Sequence, residues 1–329
     1  MKIGIHIEPH VGYSYDDITK LAQAADEAGF YRFTVSDHFF GYPKGTENQC
    51  YEAWTTIALL VPQTENILLG TQVTSQSYRN PALLAKIVAN LDNASNGRID
   101  LGIGAGWKEA EYDAYGYEYP SAKTRILQLR ETLQILKLLW TEDRPSFEGD
   151  FYKIKDVRFL PKPVQQPHVP IWVGTETLEA PMMEETAARY GDGLDFVKAT
   201  PEKYVRKKER MKNMCEKVGR DFDDMKWSVG TMAVVLGEDE DDYRNRIQAV
   251  LDEEWMEKTI PDEMKSKWID TTIEKHKQLG GPPEDVLERL TAYKGIVDIV
   301  NICLPIVGNI RKNGLDTIRI LKELVVPKI

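Results

Sequence analysis

Eight short runs of β-forming, mostly apolar residues recur along this 329-residue chain, and a longer amphipathic stretch follows each of them. The runs are KIGIHI (2–7), YRFTVSD (31–37), NILLGTQV (66–73), RIDLGIG (98–104), PIWVG (170–174), GLDFV (193–197), KWSVGTMAVVLG (226–237) and IVDIVNICLP (296–305). Apolar residues on both faces suit parallel strands covered by helices. The stretches between them have helical spacing and helix punctuation. Ile18, Leu21, Ala22, Ala25 and Ala28 precede Gly29, and Pro81 opens a run that stops at Asn96-Gly97. Eight such units predict an α/β protein, a (β/α)8 TIM barrel. A doubly wound open sheet is the alternative, but the alternation continues evenly to the end. No Gly- or Ser-rich linker divides the chain, so residues 1–329 read as one domain, with insertions at about 142–168 and 255–282. The prolines and paired aromatics of the first insertion suggest a hairpin or ordered loop. The second either packs over the barrel or forms a lid.

Composition narrows the partners. Hydrophobic residues make up 42% of the chain, enough for a large core. The net charge of −10 and the lack of a basic stripe disfavour nucleic acid and give no pull toward anionic membranes. No apolar run approaches a membrane span. The apolar run of MKIGIHIEPH is too short for a signal peptide and is broken by His6, Glu8 and Pro9. Cys50, Cys215 and Cys303 are odd in number and far apart, which fits a reducing cytoplasm. No H-E-x-x-H, C-x-x-C or G-x-S-x-G motif occurs. The expectation is therefore no metal, no hydrolytic triad, and chemistry supplied by an organic cofactor.

In a barrel, binding and catalysis gather where strands end at their C-terminal side. Glu8 and His10 follow the first run, and Ser36, Asp37 and His38 the second. Asp37 is either a cap beside a packed histidine, or part of a pair in which His38 exchanges a proton. After the third run, Gly70 and Thr71, the hydroxyls from Thr74 to Ser77, and Arg79 make either a polar loop before a helix or part of the site. Arg79 could pair with an acidic residue there. The fourth run ends in RIDLGIGAGWKEAEYDAYG, with glycines at 102, 104 and 106. This is not the G-x-G-x-x-G of a dinucleotide fold, and it follows the fourth strand rather than the first. It reads as backbone bared at Gly104, Ala105 and Gly106 for close approach of a ring or phosphate, with Trp107 as an aromatic wall. Gly174, Thr175 and Glu176 end the fifth run, shortly before a helix whose amides suit an anion. The charged helix at 202–212 reads as a solvated outer face.

SDHFF, YEAWTTIALL, YRNPALLAKIVANLDNASNGRIDLGIGAGWKEAEYDAYG, LRETLQILKLLWT, FEGDFYKI, PKPVQQPHVPIWVG and AARYGDG together resemble the bacterial-luciferase-like superfamily of flavin- and deazaflavin-dependent barrel oxidoreductases. The likeness covers most of residues 1–195 and continues more loosely to the end. The GAGW…E…AYG and YRNPALLAK stretches look most like the subgroup that uses coenzyme F420, a 5-deazaflavin.

The resemblance implies a luciferase-like barrel and a homodimer, its surface around Ala53–Leu60 and Leu83–Leu91. It implies Asp37 and His38 against the ring and a non-prolyl cis peptide at Gln72-Val73, next to Thr74. Gly104, Ala105 and Gly106 would line the ring, and Gly174 and Thr175 would hold the phosphate. Hydride transfer to or from a small-molecule substrate would then use His38 as proton donor or charge stabiliser, with Asp37 orienting it or the ring, and Glu8 as a further candidate. The chain departs from relatives in three places. Gly174-Thr175 stands for a Gly-Gly pair, Tyr42 for a tryptophan and Ala105 for an acidic residue of a sugar-phosphate dehydrogenase branch. An FMN-dependent monooxygenase and a non-catalytic flavin-binding protein are the rival readings.

Overall fold

The computed structural model describes residues 1–41, 48–251, 279–304 and 309–329. Eight parallel strands close into a barrel: β1 (Lys2–Ile7), β2 (Arg32–Val35), β3 (Leu68–Ser75), β4 (Ile99–Gly104), β7 (Ile171–Thr175), β8 (Gly193–Phe196), β9 (Lys226–Leu236) and β11 (Ile299–Cys303). Pairing runs in that order. It closes because β8 pairs with β9, β9 with β11, and β11 with β1. Every residue of β4, β8 and β11 is buried, as the apolar runs implied. The barrel prediction holds and the open sheet does not. A short additional strand, β10 (Leu279–Gly281), lies parallel on β9.

Helices α1 (Tyr15–Glu27), α2 (Ala53–Leu60), α3 (Pro81–Ala94), α5 (Ala122–Thr141), α6 (Pro181–Tyr190), α7 (Pro201–Val218), α8 (Glu240–Leu251), α9 (Pro283–Thr291) and α10 (Ile310–Ile320) follow the strands. Their starts are written in the sequence. Ser14 and Asp17 form a reciprocal capping box on α1. Asn80 caps α3, with Pro81 at its first position, and Ser121 and Thr200 cap α5 and α7. One helix was not foreseen: α4 (Glu109–Tyr115), directly after the glycine-rich strand end.

The insertion at about 142–168 contains a small antiparallel hairpin, β5 (Phe147–Glu148) with β6 (Lys153–Ile154). Glu131 of α5 pins its turn by accepting from the amides of Asp150, Phe151 and Tyr152 at 2.7, 3.0 and 2.9 Å. Of the insertion at about 255–282, residues 255–278 lie outside those described, and the end forms β10.

The charged helix α7 has the expected solvated face, with Glu202, Lys203, Arg206, Glu209 and Lys212 exposed, but its other side turns inward. Tyr204 and Lys207 are fully buried. The Lys207 ammonium donates to Glu184 at 2.8 Å and to the carbonyls of Thr177 and Leu178, both at 3.0 Å. A run of Lys, Arg and Glu hides this because a lysine stem buries easily when its head finds oxygen partners. The barrel interior also holds charge. Arg32 donates to Asp100 at 2.8 Å, Asn301 at 2.8 Å and Ser228 at 2.7 Å, and its guanidinium lies over Trp172.

Candidate active site at the barrel mouth

A cavity of about 540 Å3 opens at the C-terminal ends of the strands. Each strand end contributes as barrel geometry requires: Glu8, Asp37 and His38, Gln72 to Thr74, Gly104 to Trp107, and Gly174 and Thr175 all line it. The catalytic and cofactor-binding candidates therefore share one cavity, while His10, Gly70, Thr71 and Arg79 are not in its lining. Tyr42 lies outside the described residues.

His38 is held by a residue the sequence reading left without a role. Its Nδ1 lies 3.0 Å from Oε2 of Glu111, on α4. Glu111 is fully buried and also accepts from the Phe39 amide at 2.8 Å and the Tyr78 hydroxyl at 2.7 Å. The buried Lys108 ammonium is 3.1 Å from its other oxygen. Burial pushes this carboxyl up, but His38, Tyr78 and the Phe39 amide outweigh it and bring the pKa to about 2. At neutral pH Glu111 is thus a carboxylate and can only accept. The proton shared with His38 therefore sits on Nδ1, which leaves Nε2 of neutral His38 as a base.

Asp37 does not orient His38. Its carboxylate takes a two-pronged bond from Arg79, at 2.7 and 2.9 Å, and a third from the Ser75 amide at 3.3 Å. Arg79 finds the acidic partner it was expected to seek, and a second in Glu52, the cap of α2. A flat guanidinium matches a carboxylate in this fork geometry. Asp37 therefore braces the start of α2 and α3 beneath the site.

The glycines have a different cause from the one first assigned. The Gln72-Val73 peptide is cis, where the resemblance placed it, and the β3–β4 register shifts between Thr71 and Thr74. The Val73 side chain projects into the space that side chains at 102, 104 and 174 would fill. A Cβ built on Gly104 or Gly174 would lie 3.1 or 2.8 Å from Val73, and one on Gly102 would meet the Thr71 carbonyl oxygen at 2.1 Å before Val73 at 3.0 Å. Gly106 is set by α4: at φ +79 its Cβ would meet the Tyr112 hydroxyl at 1.9 Å and Ser75 Oγ at 2.7 Å. The stretch is bare toward neighbouring protein as much as toward the cavity. Gln72 donates to Asp195 at 2.6 Å. Thr74 receives the Trp54 indole N–H at 2.9 Å. Trp107 is 63% exposed and stands edge-on to His38, ring centroids 5.7 Å apart, so it is a wall of the entrance.

Glu8 lies between two histidines, 3.4 Å from His6 Nε2 and 3.3 Å from His10 Nδ1. Burial pushes its carboxyl up, yet His6, His10 and His38 outweigh that and hold it far below the usual carboxylate range. Arg125, near the start of α5, lines the cavity too. It donates to the Gly106 carbonyl at 3.2 Å and lies over Tyr119, and no carboxylate pairs with it among the described residues. Near the start of α6, the Ala180 amide donates to Glu184 at 3.4 Å. That helix begins at Pro181, and its first turn holds the buried Glu184, paired with Lys207 and Arg210.

Glu111, Arg125 and His6 were missed for different reasons. A helical reading of 109–115 would have turned Glu111 and Lys108 to one side as an i,i+3 pair. An arginine near a helix N-terminus opposes the dipole, which is a signal that it serves something else. Only the pleat could reveal His6, which shares a face with Glu8.

The profile of the family described as luciferase-like monooxygenase matches residues 1–298. An F420-dependent glucose-6-phosphate dehydrogenase of Amycolatopsis mediterranei is 34% identical over 180 residues, 54% of this chain and 52% of that protein. An FMNH(2)-dependent dimethylsulfone monooxygenase of Pseudomonas putida is 32% identical over 197 residues, 59% of this chain and 53% of that protein. The chain thus spans about half the length of these curated relatives. Among solved structures, monooxygenase RslO1 of Streptomyces bottropensis superposes with a TM-score of 0.80 at 25% identity, covering 99% of both chains. An F420-dependent secondary alcohol dehydrogenase, in complex with an F420-acetone adduct, shares the fold. Its TM-score is 0.77 at 21% identity, over 99% of this chain and 98% of that one. No helix among the described residues is long and apolar enough to cross a membrane.

Proposed function

Because the chain belongs to the luciferase-like monooxygenase family, we propose that it is an oxidoreductase that moves a hydride between coenzyme F420 and a small organic substrate in the barrel-mouth cavity. The observation that carries this reading is His38 in the cavity wall, its Nδ1 fixed by the Glu111 carboxylate and its Nε2 left to exchange a proton.

The residues present fit such a cofactor. The cavity has the size of a small-molecule site. Gly104 and Gly174 present backbone over Val73, as a flat ring requires. Arg125, lacking a carboxylate partner among the described residues, suits an anionic tail together with Thr175. When bound, the deazaflavin supplies hydride chemistry at the ring carbon that replaces a flavin nitrogen. His38 takes the hydroxyl proton of an alcohol substrate as its C–H bond gives up the hydride, and returns it in the reverse direction. Glu111 stabilises the imidazolium that forms. Glu8 offers a second polar contact to the substrate, Gln72, Val73 and Thr74 shape the floor, and Trp107 with Ala105 and Gly106 limits access of water. Asp37 keeps the floor in place through Arg79.

The family relatives include both F420- and FMN-dependent proteins, so the decisive experiment is a paired titration. Tighter binding of coenzyme F420 than FMN, with reduction of its visible absorbance by an alcohol panel, is the expected result. Tight FMN binding with oxygen consumption and no F420 turnover would make the chain a monooxygenase instead. No turnover of either cofactor across the panel would make it a flavin-binding protein.

The same reading includes a cytoplasmic homodimer. Leu59 on α2 and Leu83 on α3 are 48% and 54% exposed, on the two helices for which the resemblance implies a contact. The other large apolar residues there, among them Trp54, Ile57, Leu84 and Val88, are core. Light scattering at micromolar concentration tests the dimer. The three cysteines are free, as suits a reducing compartment.

A further inference from the structure

The end of β1 carries three unusual neighbours. His6 lies on β1, and Glu8 follows the last residue of that strand in extended backbone, so the two side chains project to one side. Cys303 on β11 is the register partner of His6. Nitrogen, oxygen and sulfur atoms of these three side chains lie within 4.8 Å of one another, and all three line the cavity.

We propose that His6, Glu8 and Cys303 form a binding site for a divalent transition-metal ion of the zinc type. Four features of the geometry favour it. First, the 3.4 Å between His6 Nε2 and Glu8 is long for a hydrogen bond. It matches the edge of a tetrahedron around zinc, roughly 3.3–3.8 Å for bonds of about 2.0–2.3 Å. Second, the remaining ring nitrogen of His6 is held by the Thr34 hydroxyl at 3.0 Å, which turns Nε2 toward the cluster as an outer partner of a metal ligand does. Third, Glu8 Oε2 and His10 Nδ1 are buried without a hydrogen-bond partner, and 3.3 Å separates them. The unpartnered Glu8 oxygen is free to take an ion, while His10 lies outside the trio. Fourth, one imidazole, one carboxylate and one thiolate form a borderline-soft set that suits zinc, cobalt or copper over magnesium or calcium.

Cys303 is buried, and a cysteine binds such an ion only as its thiolate. Binding therefore releases its proton to solvent, and the dication balances one carboxylate and one thiolate.

Cobalt(II) titrated into the reduced, cofactor-free full chain reports directly on the ligands. The expected result is a near-ultraviolet thiolate-to-cobalt charge-transfer band with visible bands of tetrahedral intensity, both displaced by zinc. Cys303→Ser should abolish the near-ultraviolet band. Glu8→Gln, which keeps the side-chain shape, should weaken affinity at least about tenfold, and Thr34→Val about 10–100-fold. Absence of the band at millimolar cobalt overturns the proposal, as does a band that survives in Cys303→Ser or an affinity unchanged in Glu8→Gln. Circular dichroism establishes that each variant is folded. The readout needs neither turnover nor cofactor, so its failure leaves the hydride-transfer reading standing, and failure of that reading leaves this one standing.

Discussion

His38 Nδ1 sits 3.0 Å from the Glu111 carboxylate, 73 residues away in sequence and fully buried beneath α4. One contact sets both the tautomer of the histidine and the direction in which its other nitrogen can move a proton. The same carboxylate gathers the amides of Phe39 and Phe40, the Tyr78 hydroxyl and the Lys108 ammonium. The loop after β2 is therefore positioned by a helix after β4.

Glu111→Gln should separate orientation from presence. His38→Asn removes the base and should lower kcat by about 10²–10⁴ with the fold intact. Glu111→Gln keeps the base but no longer favours the Nδ1–H tautomer, so kcat should fall with little change in KM. A Glu111→Gln variant with wild-type kcat across pH 6–9 would remove Glu111 from the mechanism. Its stability should drop by about 3 kcal/mol in urea, because the buried Lys108 loses its charged partner.

The acid limb of stability should carry the same signature. The Glu111 carboxyl lies at about 2 in the fold against an ordinary 4.5. A depressed pKa stabilises the fold above the ordinary value, and that contribution is lost as pH falls from about 4.5 toward 2. Glu8 is held low in the same sense and adds to it. Urea midpoints measured between pH 7 and pH 3 should fall more steeply for wild type than for Glu111→Gln. Parallel slopes would mean that the carboxylate is not stabilised by its neighbours.

The barrel was legible in the sequence because its strands are apolar runs and its helices carry explicit starts at Ser14, Asn80, Ser121 and Thr200. The site was legible as positions, since strand ends in a barrel converge on one cavity. Pairing was not. Asp37 and His38 are adjacent in sequence yet bond in different directions, to Arg79 and to Glu111. Alternation of side chains and the path of the β2 loop decide that, and neither is written in a dipeptide. Lys207 shows the same limit. In sequence it is one charge among many on α7, and only the carbonyls of Thr177 and Leu178 make its burial possible.

Two glycines of one stretch should behave differently. In Gly106→Ala the methyl group would collide with Tyr112, and the residue would be held at φ +79. Destabilisation of at least about 1 kcal/mol is expected, with cofactor binding lost together with the packing of α4. In Gly104→Ala the nearest atom is Val73 Cγ2 at 3.1 Å, which can give by a few tenths of an ångström. That variant should melt near wild type while binding cofactor more weakly. Equal losses of stability in the two would refute the division between a glycine set by α4 and one set by the cavity floor.

Arg79 and Asp37 should prove coupled beyond what either contributes alone. The guanidinium is enclosed and bridges Asp37 to Glu52, whose carboxylate also caps α2 by accepting from the Trp54 and Thr55 amides. Burial works against the charged guanidinium, yet Asp37 and then Glu52 outweigh it and hold its pKa above the ordinary value. Arg79→Met leaves Asp37 buried with only the Ser75 amide. It should cost about 3–5 kcal/mol, as removal of one partner of a buried pair does. Arg79→Lys keeps the charge but not the fork, and should recover only part of that loss. Asp37→Asn combined with Arg79→Met should cost less than the sum of the two single changes. A double-mutant cycle in urea that shows simple additivity would reduce this pair to two independent contacts, and Asp37 would then be free to act on the contents of the cavity.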